Sequence, residues 1–527
     1  MRRFPWRSTL ILVLGAAPLR AQLAPVGAPK GTFRFTVGGE FTAADQRIYG
    51  GHEEDYLADF GSRALGSDRF AFLRAVDSVV GATIGQGGYR VNLGAVTAHG
   101  QFTVGTGTIG GAIGITRQLT LFANIPFVTL RVKANLAKDS ASGDAGFNPA
   151  HPTLGNSAGQ AAAGTFFADF TAALATLDAR IAGGSYNGDP QQLAIAQAIA
   201  ARGAAIRDGL AGITTGTDAS PFLPTTGSTA GLAIAAAIRG LQDTLSNTLG
   251  VASSFTEAPV LADGLLGPTD VTQFVNNQAG PVAALPLATS TISRIGDMDV
   301  GAVLTVIDRF DRRGHAPGGF RLATLASLTL PTGLRDNPND LLHVGTGNGR
   351  YELRVAGIAD LGTGSWGARL TGGYTRKFSA LRVRRVAGPG DAYALASRLS
   401  NVNYKAGDVL EVGAQPFFRL ARNFALSGSV DYWREAAGSA TYYRASDVIP
   451  GVPASLLAAE SARRTFLVGG GVTYVGRAVR ECEEGRRCGL PIDASWRFSR
   501  VVYATGGRVP EIWTTRMEIR WYQRLWR

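Results

Sequence analysis

Asn423-Phe424-Ala425-Leu426-Ser427-Gly428-Ser429-Val430-Asp431-Tyr432 is the stretch on which the fold turns. In an extended chain Phe424, Leu426, Gly428, Val430 and Tyr432 share one face, and Asn423, Ala425, Ser427, Ser429 and Asp431 share the other. About ten residues of such alternation, with aromatics at both ends, is the pattern of a strand that meets hydrocarbon on one side and water on the other. A soluble sandwich also alternates, so period alone does not decide. Its outer face is polar and its inner face is packed with large apolar side chains. Here the polar face mixes charge with Ser, Thr and Gly, which suits a wet interior.

The same pattern recurs along the chain. Phe33, Phe35, Val37, Gly39 and Phe41 oppose Arg34, Thr36 and Glu40, and Tyr351, Leu353 and Val355 oppose Arg350, Glu352 and Arg354. Leu410, Val412, Ala414 and Phe418 oppose Glu411, Gln415 and Arg419, while Phe466, Val468, Val472 and Tyr474 oppose Thr465 and Thr473. Near the end, Trp513, Met517, Ile519 and Trp521 oppose Arg516, Glu518 and Arg520. Trp366 and Tyr374 bracket another segment, as interfacial girdles require.

Loop lengths give an independent argument, because such barrels alternate short inner turns with longer outer loops. Counting back from a C-terminus on the inner side, outer connections fall at 505–511, 435–463, 378–407, 331–347 and 131–294. Inner ones fall at 476–490, 420–423, 360–365, 309–318 and 116–118. With an opening strand at 31–42 and an outer loop at 43–98, the expected fold is all-β: a transmembrane antiparallel barrel of about 12 strands, range 10–14.

Composition agrees. Of 527 residues, 17% are charged and 45% hydrophobic, and Gly supplies 69, a balance unlike a disordered chain. The one continuous apolar run, Leu10–Ala17, follows Arg2, Arg3 and Arg7 and precedes Ala21, the layout of a signal peptide over 1–21. Removing its four Arg lowers the net charge from +12 to 12 − 4 = +8, and the remaining charges are scattered, which argues against a nucleic-acid partner. Cys482 and Cys488 lie in one charged turn with no His nearby, so a disulfide is expected there and no metal.

The connection at 134–294 changes character: it is Ala-rich and follows helical spacing. Phe166, Phe170, Leu174, Leu177 and Ile181 form one stripe, and Ile234, Ile238, Leu241, Leu245 and Leu249 another. A third helix is expected from Asp189-Pro190-Gln191-Gln192, with Asp189 as cap, Pro190 in the first position and Gln192 closing a capping box. The predicted organisation is thus 1–21 signal peptide, 22–133 N-terminal barrel strands, 134–294 helical insertion in an outer loop (cap, plug or separate bundle) and 295–527 C-terminal barrel strands.

Gly296-Asp297, Leu328-Thr329-Leu330-Pro331-Thr332-Gly333, Gly345-Thr346-Gly347 and Gly373-Tyr374 carry a resemblance to a known family. The stretch from Gly296 to Phe378 resembles the outer-membrane β-barrel family associated with the meta-pathway of phenol degradation, FadL-like in architecture. The resemblance implies a barrel in the cell outer membrane and passage of small hydrophobic or aromatic compounds. One departure is the ending Leu525-Trp526-Arg527, where outer-membrane barrels usually end in an aromatic residue.

Two motifs are decoys. Gly155-Asn156-Ser157-Ala158-Gly159 has the spacing of a nucleophile elbow without the strand that motif needs. Gly105-Thr106-Gly107-Thr108-Ile109-Gly110 lacks a βαβ setting and reads as a Gly-rich strand. His52, His99, His151, His315 and His343 form no paired spacing, and Asp297 and Asp299, two apart on one face, read as lumen carboxylates rather than cation ligands. The expected lumen-lining set is Arg321, Arg350, Glu352, Arg354, Arg369, Glu411, Arg419, Asp431, Arg516, Glu518 and Arg520. The expected function is a passive channel, with no catalytic residue and no cofactor. The alternatives are a non-conducting structural or partner-binding barrel and, further off, an outer-membrane enzyme. Expected partners are outer-membrane lipid, a small-molecule substrate and, during biogenesis, the barrel-assembly machinery.

Overall fold

The computed structural model describes residues 26–526, except 154, 217–218, 252–254, 311–317, 364, 422 and 477–490. The expected signal peptide, the Cys482–Cys488 pair and His315 lie outside the described residues.

Twelve long strands close into a ring among the described residues. They are β1 (Thr32–Ala44), β2 (Val96–Gly114), β3 (Leu119–Lys138), β4 (Met298–Asp308), β5 (Gly318–Leu330) and β6 (Glu352–Thr363). Then follow β7 (Trp366–Lys377), β8 (Val409–Ala421), β9 (Phe424–Glu435), β10 (Arg463–Val475), β11 (Ile492–Thr505) and β12 (Trp513–Arg524). Each is antiparallel to its sequence neighbours, and β1 pairs with β12 from Thr32↔Arg524 to Ala43↔Trp513 to shut the ring. Closure gives each of these twelve strands two neighbours, the condition for a sheet to survive in hydrocarbon.

The register sorts the side chains as the alternation requires. Val430 and Val412, both about half exposed, stand on the outer surface with Phe424, Leu426, Met517 and Ile519. Because paired residues share a face, the row Val412↔Tyr432↔Phe466↔Tyr503 marks one aromatic level, and Trp366↔Phe418 and Phe424↔Tyr474 mark the other. These rings touch their neighbours at 4.6–5.1 Å between centroids for Trp366–Phe418, Tyr432–Phe466 and Phe424–Tyr474. No described helix is long and apolar enough to cross a membrane.

Connections sort by end as expected, with two shifts. The turn expected at 360–365 is shorter, because β6 runs to Thr363 and β7 starts at Trp366, so Asp360 is a strand residue. The long connection begins later than expected, since alternation carries β3 to Lys138, paired with Val96 of β2. β2 and β3 therefore rise past the last β1 pairing, Ala44↔Phe102.

On that raised wall sits a helical body with the largest apolar core of the molecule. It contains α1 (Arg74–Ile84), α2 (Ser157–Ala182), α3 (Pro190–Thr214), α4 (Thr229–Asp243) and α5 (Asp270–Asn276). Phe166, Phe170, Leu174 and Leu177 of α2 and Ile234, Ile238 and Leu241 of α4 are buried, with Phe170 stacked on Phe255 at 4.2 Å. Both stripes expected from spacing thus face inward, except that Ile181 is only partly buried. Asp189 caps α3, accepting from the Gln191 and Gln192 amides. The expected capping box does not close, because the Gln192 side chain instead donates to the Thr248 carbonyl at 3.0 Å.

The boundary 134–294 does not enclose this core. Leu65, Phe70, Leu73, Val76 and Val80 join it from the earlier loop, and Leu341, Leu342 and Tyr393 from later ones. The reason is local: α1 buries Val76 and Val80 and must find a partner surface. The body rests on the inward faces of the raised wall, against Phe102, Leu130 and Val132.

Candidate functional site: the barrel interior

Inward positions are the even residues of β1, and the register carries that face around the ring. Every expected lumen residue described on a strand falls on it, and side-chain exposure divides them into two kinds.

The first kind is sealed. Asp360 accepts from Arg369 through Nε at 2.6 Å and Nη2 at 3.0 Å, and lies 3.5 Å from Arg321 Nη1. Arg321 also lies 3.5 Å from Asp308, with its guanidinium 5.1 Å from the Phe310 ring centre. The Arg321 and Asp360 side chains are 8% and 5% exposed, so the cluster is a dry lock rather than a water-lined surface. Arg419 is likewise buried. Towards the wide end, Glu435 takes Lys377 at 2.6 Å and Arg463 at 2.7 Å.

The second kind is open. Arg354 and Glu411 pair at 2.7 Å with side chains 42% and 36% exposed. Arg516 is 58% exposed, 3.3 Å from Glu518 and 3.9 Å from Glu40, whereas Glu518 and its partner Arg520 are only 13% and 23% exposed. Asp431 projects towards Gly413 of β8, where a Cβ would come within 2.5 Å of its carboxylate. Arg350 and Glu352, 2.9 Å apart at the rim, have side chains only 11% and 14% exposed and belong with the sealed kind. The charges therefore serve different ends: Arg321 and Arg369 hold the wall together, and Arg354, Glu411 and Arg516 meet solvent.

A cavity of about 410 Å³ is bounded by β1–β6 and β12, with Arg354 and Arg516 on its wall. Gly38, Gly39, Thr36, Thr106 and Thr108 give it small walls on one side, and Phe122, Val303 and Leu325 give it apolar patches. Val26, in the segment before β1, also lines it. Arg34 Nη1 donates to the Val26 carbonyl at 2.7 Å, and the Ala28 amide donates to Thr120 Oγ1 at 2.9 Å.

Several interior residues were missed by sequence reasoning. Asp360 was assigned to a turn, and Lys377 and Glu435 stand at strand ends beside long loops, where alternation gives no anchor. Asp493 and Arg497 were legible: Ile492, Ala494, Trp496 and Phe498 oppose Asp493, Ser495, Arg497 and Ser499.

Of the residues that carried the resemblance, those at 296–297, 332–333 and 346 meet in one knot at the rim, while Gly373-Tyr374 lies in β7. Asp297 accepts from the Gly333 amide at 2.9 Å and the Asn348 amide at 2.5 Å. Thr332 Oγ1 donates to the Gly296 carbonyl at 2.8 Å, and Thr346 Oγ1 donates to the Ile295 carbonyl at 3.0 Å. Asp297 thus lies in a break between Ser290–Ile295 and β4, tying loops, rather than on one strand face with Asp299. Asp299 accepts from Thr329 at 2.5 Å. Among the described residues no cluster of metal-ligating side chains occurs. In the serine motif, Asn156 caps α2 by accepting from Gly159, and His151 contacts Thr153 rather than Ser157. Gly105–Gly110 lies within β2, as a Gly-rich strand.

The family described as "Putative MetA-pathway of phenol degradation" matches residues 212–477, half of the chain. The chain belongs to this family. No curated protein matches it. Among solved structures, an outer membrane channel from Pseudomonas putida F1 is 9% identical, with 95% of this chain and 100% of that one covered and a TM-score of 0.41. The toluene transporter TodX from Pseudomonas putida is 9% identical, covering 95% and 90%, at 0.26. The transport unit of the autotransporter AIDA-I from Escherichia coli is 5% identical, covering 95% and 93%, at 0.30. At those scores, strand number and closure rest on this chain's own pairing. The family match spans the rim knot and β4–β10.

Proposed function

We propose that this protein is exported to the outer membrane, inserted there by the barrel-assembly machinery, and passes small hydrophobic or aromatic compounds passively through its interior. The carrying observation is the 410 Å³ cavity, which is open and lined by both hydroxyls and apolar side chains. Its volume lies in the usual range for small-molecule pockets. The sealed Arg321–Asp360–Arg369 lock lies outside its lining, and Arg354, Glu40 and Arg516 on its wall set its field. The helical body forms a cap over the raised side of the mouth and shapes the way in. Membership of a family named for phenol degradation favours a monoaromatic cargo.

Uptake of labelled phenol or toluene at low concentration, in cells with and without the protein, tests this reading. Faster uptake with the chain, slowed by Thr108→Trp in the cavity wall, is expected. Equal rates in the presence and absence of the protein refute permeation and leave a structural barrel.

A further inference from the structure

Among the described residues, two arginines at the rim hold no oxygen by hydrogen bond or ion pair. The strand Ala380–Arg385 continues above β7, with Leu381 and Val383 exposed on its outer side and Arg382 and Arg384 on its inner side. Arg384 is engaged with Asp336 through both terminal nitrogens, and Arg350 with Glu352 at 2.9 Å. Asp297 is taken up by the Gly333 and Asn348 amides. Arg382 is only 7% exposed, yet neither it nor Arg335 has a hydrogen bond or ion pair among the described residues.

Their guanidinium groups converge on one point. A Cβ at Gly349 would meet Arg335 Nε at 2.6 Å and Arg382 Nη1 at 2.9 Å, and Gly349 has φ +58°. Arg384, Arg335 and Arg350 surround the Arg382 guanidinium with like charge, and the carboxylate near it, Asp336, is already taken by Arg384. A little-exposed cation so placed favours an anion beside it. Burial, and next the Arg384 charge, push the Arg382 proton affinity below its ordinary value, although Asp336 acts the other way.

We propose that Arg335 and Arg382 form a binding site for the carboxylate of a monoaromatic acid, a capture site above the cavity. Two guanidinium forks suit the two oxygens of a planar carboxylate, which accepts paired N–H bonds from each. The aromatic part of the ligand rests on the proposed permeation of aromatic compounds; the anion site rests on the two unpaired arginines alone.

Calorimetric titration of the full chain in detergent, with benzoate as probe, tests the site. Phenol and inorganic phosphate serve as separate titrants. One benzoate per chain is expected, weakened roughly tenfold or more by Arg382→Gln and by Arg335→Gln, the usual effect of losing a charged hydrogen-bond partner. Arg335 is exposed, so its variant decides the matter if Arg382→Gln fails to fold. Benzoate affinity unchanged by Arg335→Gln overturns the proposal, and phosphate binding more tightly than benzoate overturns the carboxylate assignment. Loss of benzoate binding in Arg335→Gln with phenol uptake intact supports it. Benzoate binding without any phenol uptake would sink the channel reading alone.

Discussion

Met517 stands midway along β12 between Trp513 and Trp521, on the outer face, and is 60% exposed. From Trp513 to Trp521 is about eight steps of ~3.4 Å, roughly 27 Å of strand. A tilt of about 40° turns that into roughly 20 Å of height, which places Met517 near the middle of the hydrocarbon. Met517→Arg then costs about 2–4 kcal/mol, the depth-dependent penalty for an arginine on the lipid face. That is roughly a 30- to 700-fold loss in the folding equilibrium at 1.4 kcal/mol per tenfold. Its sequence neighbour Arg516 faces the cavity with a 58% exposed side chain and loose ion pairs at 3.3 and 3.9 Å. Arg516→Met costs at most about 1 kcal/mol, as solvent-screened pairs do. Reversible denaturant unfolding of both variants in lipid vesicles, followed by tryptophan fluorescence, measures the two costs. At so exposed a site in a water-soluble sheet, Met517→Arg would fall within about 0.5 kcal/mol of wild type. Such a value, or a larger cost for Arg516→Met than for Met517→Arg, refutes the assignment of faces.

Asp360→Ala removes the carboxylate shared by two buried guanidinium groups and is expected to cost about 3–5 kcal/mol in the same unfolding assay. The exposed Arg354→Gln costs under about 1 kcal/mol but shifts ion selectivity in planar bilayers toward cations, since it removes a positive charge from the cavity wall. At the rim, burial works against the Asp336 charge, but His343 and the Arg384 guanidinium outweigh it and hold the carboxyl at about 2. Its contribution, roughly 2 kcal/mol, is present above the unfolded carboxylate value near 4 and disappears as pH falls through about 2. Thermal unfolding from pH 6 to pH 2 checks this: Asp336→Asn is expected to flatten the loss between pH 4 and pH 2.

Alternation alone fixed which side of each strand faces lipid, because a period of two admits one assignment once Phe424, Leu426, Val430 and Tyr432 are taken as a face. The same logic placed the long loops together at one end and put the count at about twelve, and helical spacing exposed the buried stripes of α2 and α4. Those are local properties, set within ten to twenty residues of chain. Pairing across the ring was beyond them. Asp360 joins Arg321 and Arg369 because β5, β6 and β7 bring it there, and nothing within a few residues of Asp360 announces a charge lock. Arg354 and Arg321 look alike in sequence, yet one is wet and the other sealed, since exposure depends on what the opposite wall supplies. The helical body likewise gathers α1, Leu341 and Tyr393 from separate loops, as its core needs surfaces that only the closed ring brings within reach. Gly349, Arg335 and Arg382 meet for the same reason: their juxtaposition is a product of tertiary folding, and so is the anion site proposed there.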